Sequence, residues 1–145
     1  MEYYKLNSLY IEVTHACNQH CRHCYLDGGI HKKCSEMTTE QIKNIFAEFK
    51  AQGGKYVIFT GGEPLMRSDV FELLDCLEIL NLRFTFASNS LGMNIERLER
   101  LASYRCLEEY FTSILGATSE KHKAICGKDS FESAFNAVRY FDEKG

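Results

Sequence analysis

Leu9-Tyr10-Ile11-Glu12-Val13-Thr14-His15-Ala16-Cys17-Asn18-Gln19-His20-Cys21-Arg22-His23-Cys24 sets a hydrophobic run directly against three closely spaced cysteines. Leu9–Val13 reads as a strand, and the C-x3-C-x2-C array after it needs a loop, because only a loop aims three sulfurs at one region. Three thiolates on such a loop can hold three corners of an iron–sulfur cube and leave the fourth iron open. Clusters that only carry electrons normally have four protein ligands. Zinc is the competing reading, since Cys and His bind it well and His15, His20, His23 and His31 lie close by. Cys34 would then close a structural site, although no second ligand pair follows downstream. Disulfides fit poorly with an odd total of seven cysteines. On the loop alone a cluster, zinc and plain thiols all stand, with the spacing favouring the cluster.

The composition suits one cytoplasmic domain. A chain of 145 residues with 45% hydrophobic side chains has enough apolar material for a single core. No apolar stretch reaches bilayer-spanning length, and Met1-Glu2-Tyr3-Tyr4-Lys5 is not the start of a signal peptide. A formal charge of −3 gives no reason to expect a nucleic-acid partner. Unpaired cysteines at this density belong in a reducing compartment.

Outward from the cysteine loop, strand and helix patterns alternate four times. Thr38 with Gln41 makes a capping box, and Ile42, Ile45, Phe46 and Phe49 share one helical stripe that ends at Gly53-Gly54. Tyr56–Phe59 is the second strand. A helix from about Ser68 carries Val70, Leu73, Leu74 and Leu77. Arg83–Ala87 is the third strand, and Ile95, Leu98 and Leu101 mark the third helix. Tyr110–Ile114 is expected as the fourth strand. Asp129 and Glu132 can cap a last helix whose Phe131, Ala134, Phe135, Val138 and Phe141 share a face, ending at Gly145. The fold class is therefore α/β, with a parallel sheet and function at the carboxyl ends of its strands.

Four unusual stretches fall at those ends: the cysteine loop, Thr60-Gly61-Gly62-Glu63-Pro64, Ser88-Asn89-Ser90 and Ser113-Ile114-Leu115-Gly116. All four would face one cavity. Paired glycines let backbone approach a ligand closely, and Glu63 offers a carboxylate to an ammonium group.

This combination resembles the amino-terminal part of the radical S-adenosylmethionine (SAM) superfamily, whose signature is a C-x3-C-x2-C loop followed by a Gly-Gly-Glu-Pro turn. The similarity runs from about Leu9 to the end of the chain. Gly116–His122 and Gly127–Glu132 are similar to its peptide- and tetrapyrrole-modifying (SPASM) branch, many members of which carry extra clusters in a carboxyl-terminal domain. The resemblance implies that Cys17, Cys21 and Cys24 ligate a [4Fe-4S] cluster whose fourth iron is chelated by SAM. Gly61, Gly62 and Glu63 match the turn that receives the SAM amino group. Asn89 and Ser113 match polar contacts to the ribose or methionyl end, and His23 and Tyr25 match positions near the adenine. It further implies reductive cleavage of SAM to methionine and a 5′-deoxyadenosyl radical, a flavodoxin- or ferredoxin-like electron donor, and a peptide or other small-molecule substrate.

Three residues depart from the family pattern: Leu115 stands for an acid, Cys126 for an arginine and Ser90 for a glycine. Family barrels have six strand–helix units and this sequence supplies four. The expectation is a partial TIM-type barrel, residues 1–145 forming one incomplete core domain without an auxiliary-cluster domain. A truncated form, or a half-barrel completed by a partner chain or a second copy, fits that expectation, with a hydrophobic edge left on the fourth strand. Cys34, Cys76, Cys106 and Cys126 show no ligand spacing, so Cys76 reads as a small core residue. His122 reads as a surface or capping residue. Tyr3, Tyr4 and Tyr10 are expected near the amino end of the sheet, and Glu96, Arg97, Glu99 and Arg100 as a solvated helix face.

Overall fold

The computed structural model describes residues 6–26 and 35–144. Tyr3, Tyr4, His31, Cys34 and Gly145 lie outside them. Four strands, β1 (Ser8–Glu12), β2 (Tyr56–Thr60), β3 (Arg83–Ala87) and β4 (Leu107–Phe111), form a parallel sheet in the order β1-β2-β3-β4. Helices α1 (Thr39–Ala51), α2 (Val70–Ile79) and α3 (Ile95–Ala102) connect successive strands, and α4 (Ser119–Cys126) and α5 (Phe131–Lys144) follow the last. This is the expected α/β plan with four strand–helix units of a barrel.

Alternation along the strands sends two different surfaces to the two faces of the sheet. Ile11, Val57, Phe59, Phe84 and Phe86 are buried on one face against Ile42, Phe46 and Phe49 of α1 and Leu73, Leu74 and Leu77 of α2. Each fully buried ring or aliphatic side chain there contributes roughly 1.5–3 kcal/mol relative to exposure. An aromatic ladder crosses this face through Phe46, Phe59, Phe86, Tyr110 and Phe141, with successive centroids 6.4, 5.8, 6.4 and 4.8 Å apart. Its last step fastens α5 to β4. The opposite face carries Tyr10, Ile58 and Thr85 in register, with Ala87 and Phe111 paired nearer the carboxyl edge. Tyr10 is 55% exposed and Phe111 is 59% exposed on this concave side.

The capping box forms as expected: Thr38 Oγ1 accepts from Gln41 N, and Thr38 N donates to Gln41 Oε1 at 2.8 Å. Three local expectations are corrected. β4 begins at Leu107 and ends at Phe111, so Ser113 and Ile114 lie beyond it. Its first half carries Glu108 and Glu109, and the pairing with β3 is irregular between Phe84 and Thr85. Helix α5 buries Ala134 and Ala137, while Phe135 and Val138 remain 45% and 42% exposed. Helix α4 was not anticipated. Thr118 caps it by accepting from Lys121 N, and Gly127 ends it at φ 77°.

Among the described residues, no helix is long and apolar enough to cross a membrane.

Candidate functional site

Beyond Glu12 the chain keeps pairing with the neighbouring loop instead of turning away. Val13 N donates to Thr60 O at 2.9 Å, Gly62 N to Thr14 O at 2.7 Å, and Glu63 N to Ala16 O at 2.8 Å. These bonds press the Gly61-Gly62 turn onto the backbone just before Cys17. A Cβ on Gly62 would meet the Ala16 carbonyl oxygen and lie 2.8 Å from the His15 carbonyl oxygen. The glycines therefore admit protein backbone on this side. Both also line the cavity described below.

Glu63 is fully buried. Its Oε1 accepts from Leu65 N at 3.0 Å and Ser88 Oγ at 2.9 Å, and its Oε2 from Asn89 N at 2.6 Å. The carboxylate expected to face an ammonium group is thus spent on joining the β2 loop to the β3 loop, and it lies outside the cavity lining. Burial pushes its carboxyl up to about 7, against the opposing pull of those three donors.

Asn89 links the β3 loop to the cysteines. Its Nδ2 donates to Asn18 Oδ1 at 2.8 Å and contacts Cys17 Sγ at 3.6 Å. Asn18 Nδ2 answers with a 2.7 Å bond to Leu91 O. Ser90, where the family pattern has glycine, adopts φ 63° and is fully buried. Its hydroxyl bonds Tyr110 Oη at 2.6 Å and Thr112 Oγ1 at 2.9 Å, compensation that a glycine could not supply.

The cysteine loop is tied to the far end of α4. His20 N donates to Cys126 O at 3.1 Å and Arg22 N to Ile125 O at 2.9 Å, which occupies the last carbonyls of that helix. Gln19 Nε2 donates to Ser130 Oγ at 2.6 Å. His122, expected at the surface, is 1% exposed: Leu115 N donates to its Nδ1 at 3.1 Å, and its Nε2 lies 2.8 Å from Ser130 Oγ.

These ties leave one cavity of about 270 Å3 over the concave face at the carboxyl edge of the sheet. Cys17, Cys21, Cys24, His23, Tyr25, Gly61, Gly62, Asn89 and Ser113 all line it, so every expected site residue except Glu63 reaches the same space. Tyr10 lines it too, away from the amino end where it was expected. The sequence reading missed Phe111 and Cys126 as parts of this site.

Burial raises the Cys17 thiol, and burial together with neighbouring Cys126 raises Cys21 to about 11. Cys17 Sγ nonetheless receives Gln19 N at 3.5 Å and Asn89 Nδ2 at 3.6 Å, the type of N–H donation that stabilises a metal-bound thiolate. Among the described residues, no three Cys, His, Asp or Glu side chains converge on one metal-ion position. The three cysteine residues line one cavity wall, a thiolate set that could hold three corners of an iron–sulfur cube. Tyr25 Oη donates to Glu12 Oε1 at 2.7 Å and lies 3.1 Å from Tyr10 Oη. The Tyr10 bond leads in raising its phenol well above the ordinary range.

Comparisons agree with this architecture. A mycofactocin maturase, MftC, of Mycobacterium ulcerans is 35% identical over 127 residues, covering 88% of this chain and 34% of the relative. An AdoMet-dependent heme synthase of Oleidesulfovibrio alaskensis is 30% identical over 138 residues, covering 92% and 34%. The crystal structure of Streptococcus suis SuiB bound to S-adenosylmethionine superposes with a TM-score of 0.83 at 21% identity, covering 96% of this chain and 32% of that one. The chain thus spans about a third of the length of these relatives. The sequence model of the Radical SAM superfamily matches residues 11–145, and the chain belongs to that superfamily.

Proposed function

We propose that this chain provides the cofactor-binding part of a radical SAM enzyme, in which Cys17, Cys21 and Cys24 hold a [4Fe-4S] cluster and the adjoining cavity receives SAM. One observation carries the reading: the three loop cysteines share a single cavity with Gly61, Gly62, Asn89 and Ser113, which arrive from three other strand ends. With both groups bound, one-electron reduction supplies a 5′-deoxyadenosyl radical and methionine.

The chain's own residues position and enclose. Asn89 and Gln19 N–H groups orient the Cys17 sulfur. Glu63 holds the β2 and β3 loops at a fixed separation. The polar edge of Ser113 suits the methionyl or ribose end, and the rings of His23 and Tyr25 form the outer wall on the adenine side. Tyr10, Phe111 and Leu115 supply apolar surface to the cavity.

The substrate class is a peptide or a tetrapyrrole-like molecule, a choice motivated by the maturase and the heme synthase among the relatives. Reduction calls for a flavodoxin- or ferredoxin-like donor. Further strand–helix units beyond β4, on a longer chain or a partner, would complete the substrate wall.

The test is anaerobic reconstitution with iron and sulfide, followed by dithionite reduction and EPR with and without SAM. SAM is expected to perturb the reduced-cluster signal. Cys21→Ala should abolish the cluster and Cys76→Ala should retain it. A tightly held zinc ion with no SAM effect, or equal cluster loss in both variants, refutes the proposal.

A further inference from the structure

The cavity contains a fourth cysteine that the three-cysteine signature does not use. Cys126 is the last residue of α4, is 1% exposed and lines the same space as Cys17, Cys21 and Cys24. The backbone holds it beside Cys21. Arg22 N→Ile125 O and His20 N→Cys126 O flank Cys21 on both sides and fix the loop to the end of α4.

The surroundings of Cys126 are polar. Leu115 N–H donates to His122 Nδ1 at 3.1 Å, so that nitrogen carries no proton and the neutral ring bears its hydrogen on Nε2. Nε2–H then donates to Ser130 Oγ, 2.8 Å away, with Cys126 Sγ 3.4 Å from the same nitrogen. Ser130 is held in turn by Gln19, the residue midway between Cys17 and Cys21. A cysteine present only to fill space would need no place on a cavity wall beside three others. A thiolate ligand uses that place, and the polar imidazole beside it offsets part of the cost of its buried charge.

We infer that Cys126 is a fourth thiolate ligand, occupying the iron that the three loop cysteines leave open whenever SAM is absent. The inference rests on the cluster reading above. It makes the site closed at rest and opened by SAM, whose amino and carboxylate groups take the place of the Cys126 sulfur on that iron. The displaced thiolate takes up the proton that the SAM ammonium gives up as its nitrogen becomes a ligand. No such choice is open to a chain with an arginine at this position.

Mössbauer spectroscopy on 57Fe-reconstituted protein in thiol-free buffer tests it without a mutation. The wild-type cluster without SAM should show all four irons in sulfur-only surroundings, and SAM should convert one of the four to a site with nitrogen and oxygen ligands. Cys126→Ala should show the distinct iron already without SAM. It should also lose that iron to ferricyanide, giving a [3Fe-4S] signal at least about tenfold faster than wild type. Cys126→Ser, nearly equal in volume, serves if the alanine variant folds poorly. A wild-type cluster with one non-sulfur iron site before SAM is added overturns the inference while leaving the cluster reading intact. Equal ferricyanide sensitivity of wild type and variant does the same. Wild-type protein that folds but takes up no cluster overturns both.

Discussion

Replacing Gly62 by alanine should separate the cysteine loop from the Gly-Gly-Glu-Pro turn. The new Cβ would meet the Ala16 carbonyl oxygen, 2.8 Å from the His15 carbonyl oxygen and 2.9 Å from the Ala16 carbonyl carbon. All three are backbone atoms, so no side chain can rotate away, and the two loops must part. Parting stretches Gly62 N→Thr14 O (2.7 Å) and Glu63 N→Ala16 O (2.8 Å) beyond bonding range. Two net backbone hydrogen bonds are worth about 2 kcal/mol, and leaving their buried groups unmatched adds about 1–3 kcal/mol, for a total of about 3–5 kcal/mol. Gly53→Ala is the control: its Cβ would meet nothing within 4 Å, so only the φ of 88° costs, at about 1–2 kcal/mol. Urea unfolding followed by far-UV circular dichroism measures the stability, and iron per chain after reconstitution measures the site. Gly62→Ala should lose both stability and iron, and Gly53→Ala should keep its iron. A Gly62→Ala protein within about 0.5 kcal/mol of wild type and fully loaded would refute the reasoning.

Glu63→Gln should flatten the pH dependence of stability. The native carboxyl is raised to about 7 from 4.5 by burial, so its stabilising contribution is complete below pH 4.5 and is lost as pH rises through 7. Urea titrations at pH 4.5 and 8 should show this loss, about 3 kcal/mol, in wild type and not in the variant. Asp69 behaves oppositely: the Arg67 hydrogen bonds, at 2.8 and 2.6 Å, hold its carboxyl down to about 2 from 3.8. Asp69→Asn should therefore cost about 2 kcal/mol at pH 7, with the difference from wild type vanishing as pH falls through 2; an unchanged gap at pH 2 counts against the assignment. Thr38→Ala removes one half of the α1 capping box and should cost about 1 kcal/mol in the same unfolding assay, without altering iron content.

The alternation of strand and helix was legible because each connecting helix carries an apolar stripe and each of the first three strands a β-branched or aromatic run. Where those signals fail, the sequence misleads. In β4, Glu108 and Glu109 lie on an edge strand, where water and Arg83 receive charge, while Thr112-Ser113-Ile114 looks extended but belongs to the loop. Helix α4 has no apolar stripe at all. Its buried residues are His122 and Cys126, one turn apart, and they pack against polar partners. The Thr118 cap and the Gly127 stop were the only local signals for it. The cavity membership of Cys126 was invisible for a related reason. It depends on two backbone bonds across more than a hundred residues of chain, from His20 and Arg22, and ligand spacing along the sequence cannot report that. Four strand ends meeting at one cavity could be read in advance, since a parallel sheet sends all of them to the same rim.

The Gly-Gly-Glu-Pro turn also has a structural role that its sequence does not show. As a sequence it reads as a ligand-binding element: bare backbone for close approach and a carboxylate for an amine. In the fold, the missing side chains admit the Thr14–Ala16 backbone, Glu63 is spent on Leu65, Ser88 and Asn89, and Pro64 begins a 3-10 turn through Met66. The turn therefore lines the cavity through its glycines and also sets the spacing of the loop bearing Cys17 and the loop bearing Asn89. Asn89 N bonds the Glu63 carboxylate while its own Nδ2 reaches Cys17 Sγ, so a displacement of Glu63 passes to the cysteine through a single residue. Substitutions in the turn should consequently lower the iron bound per chain after reconstitution.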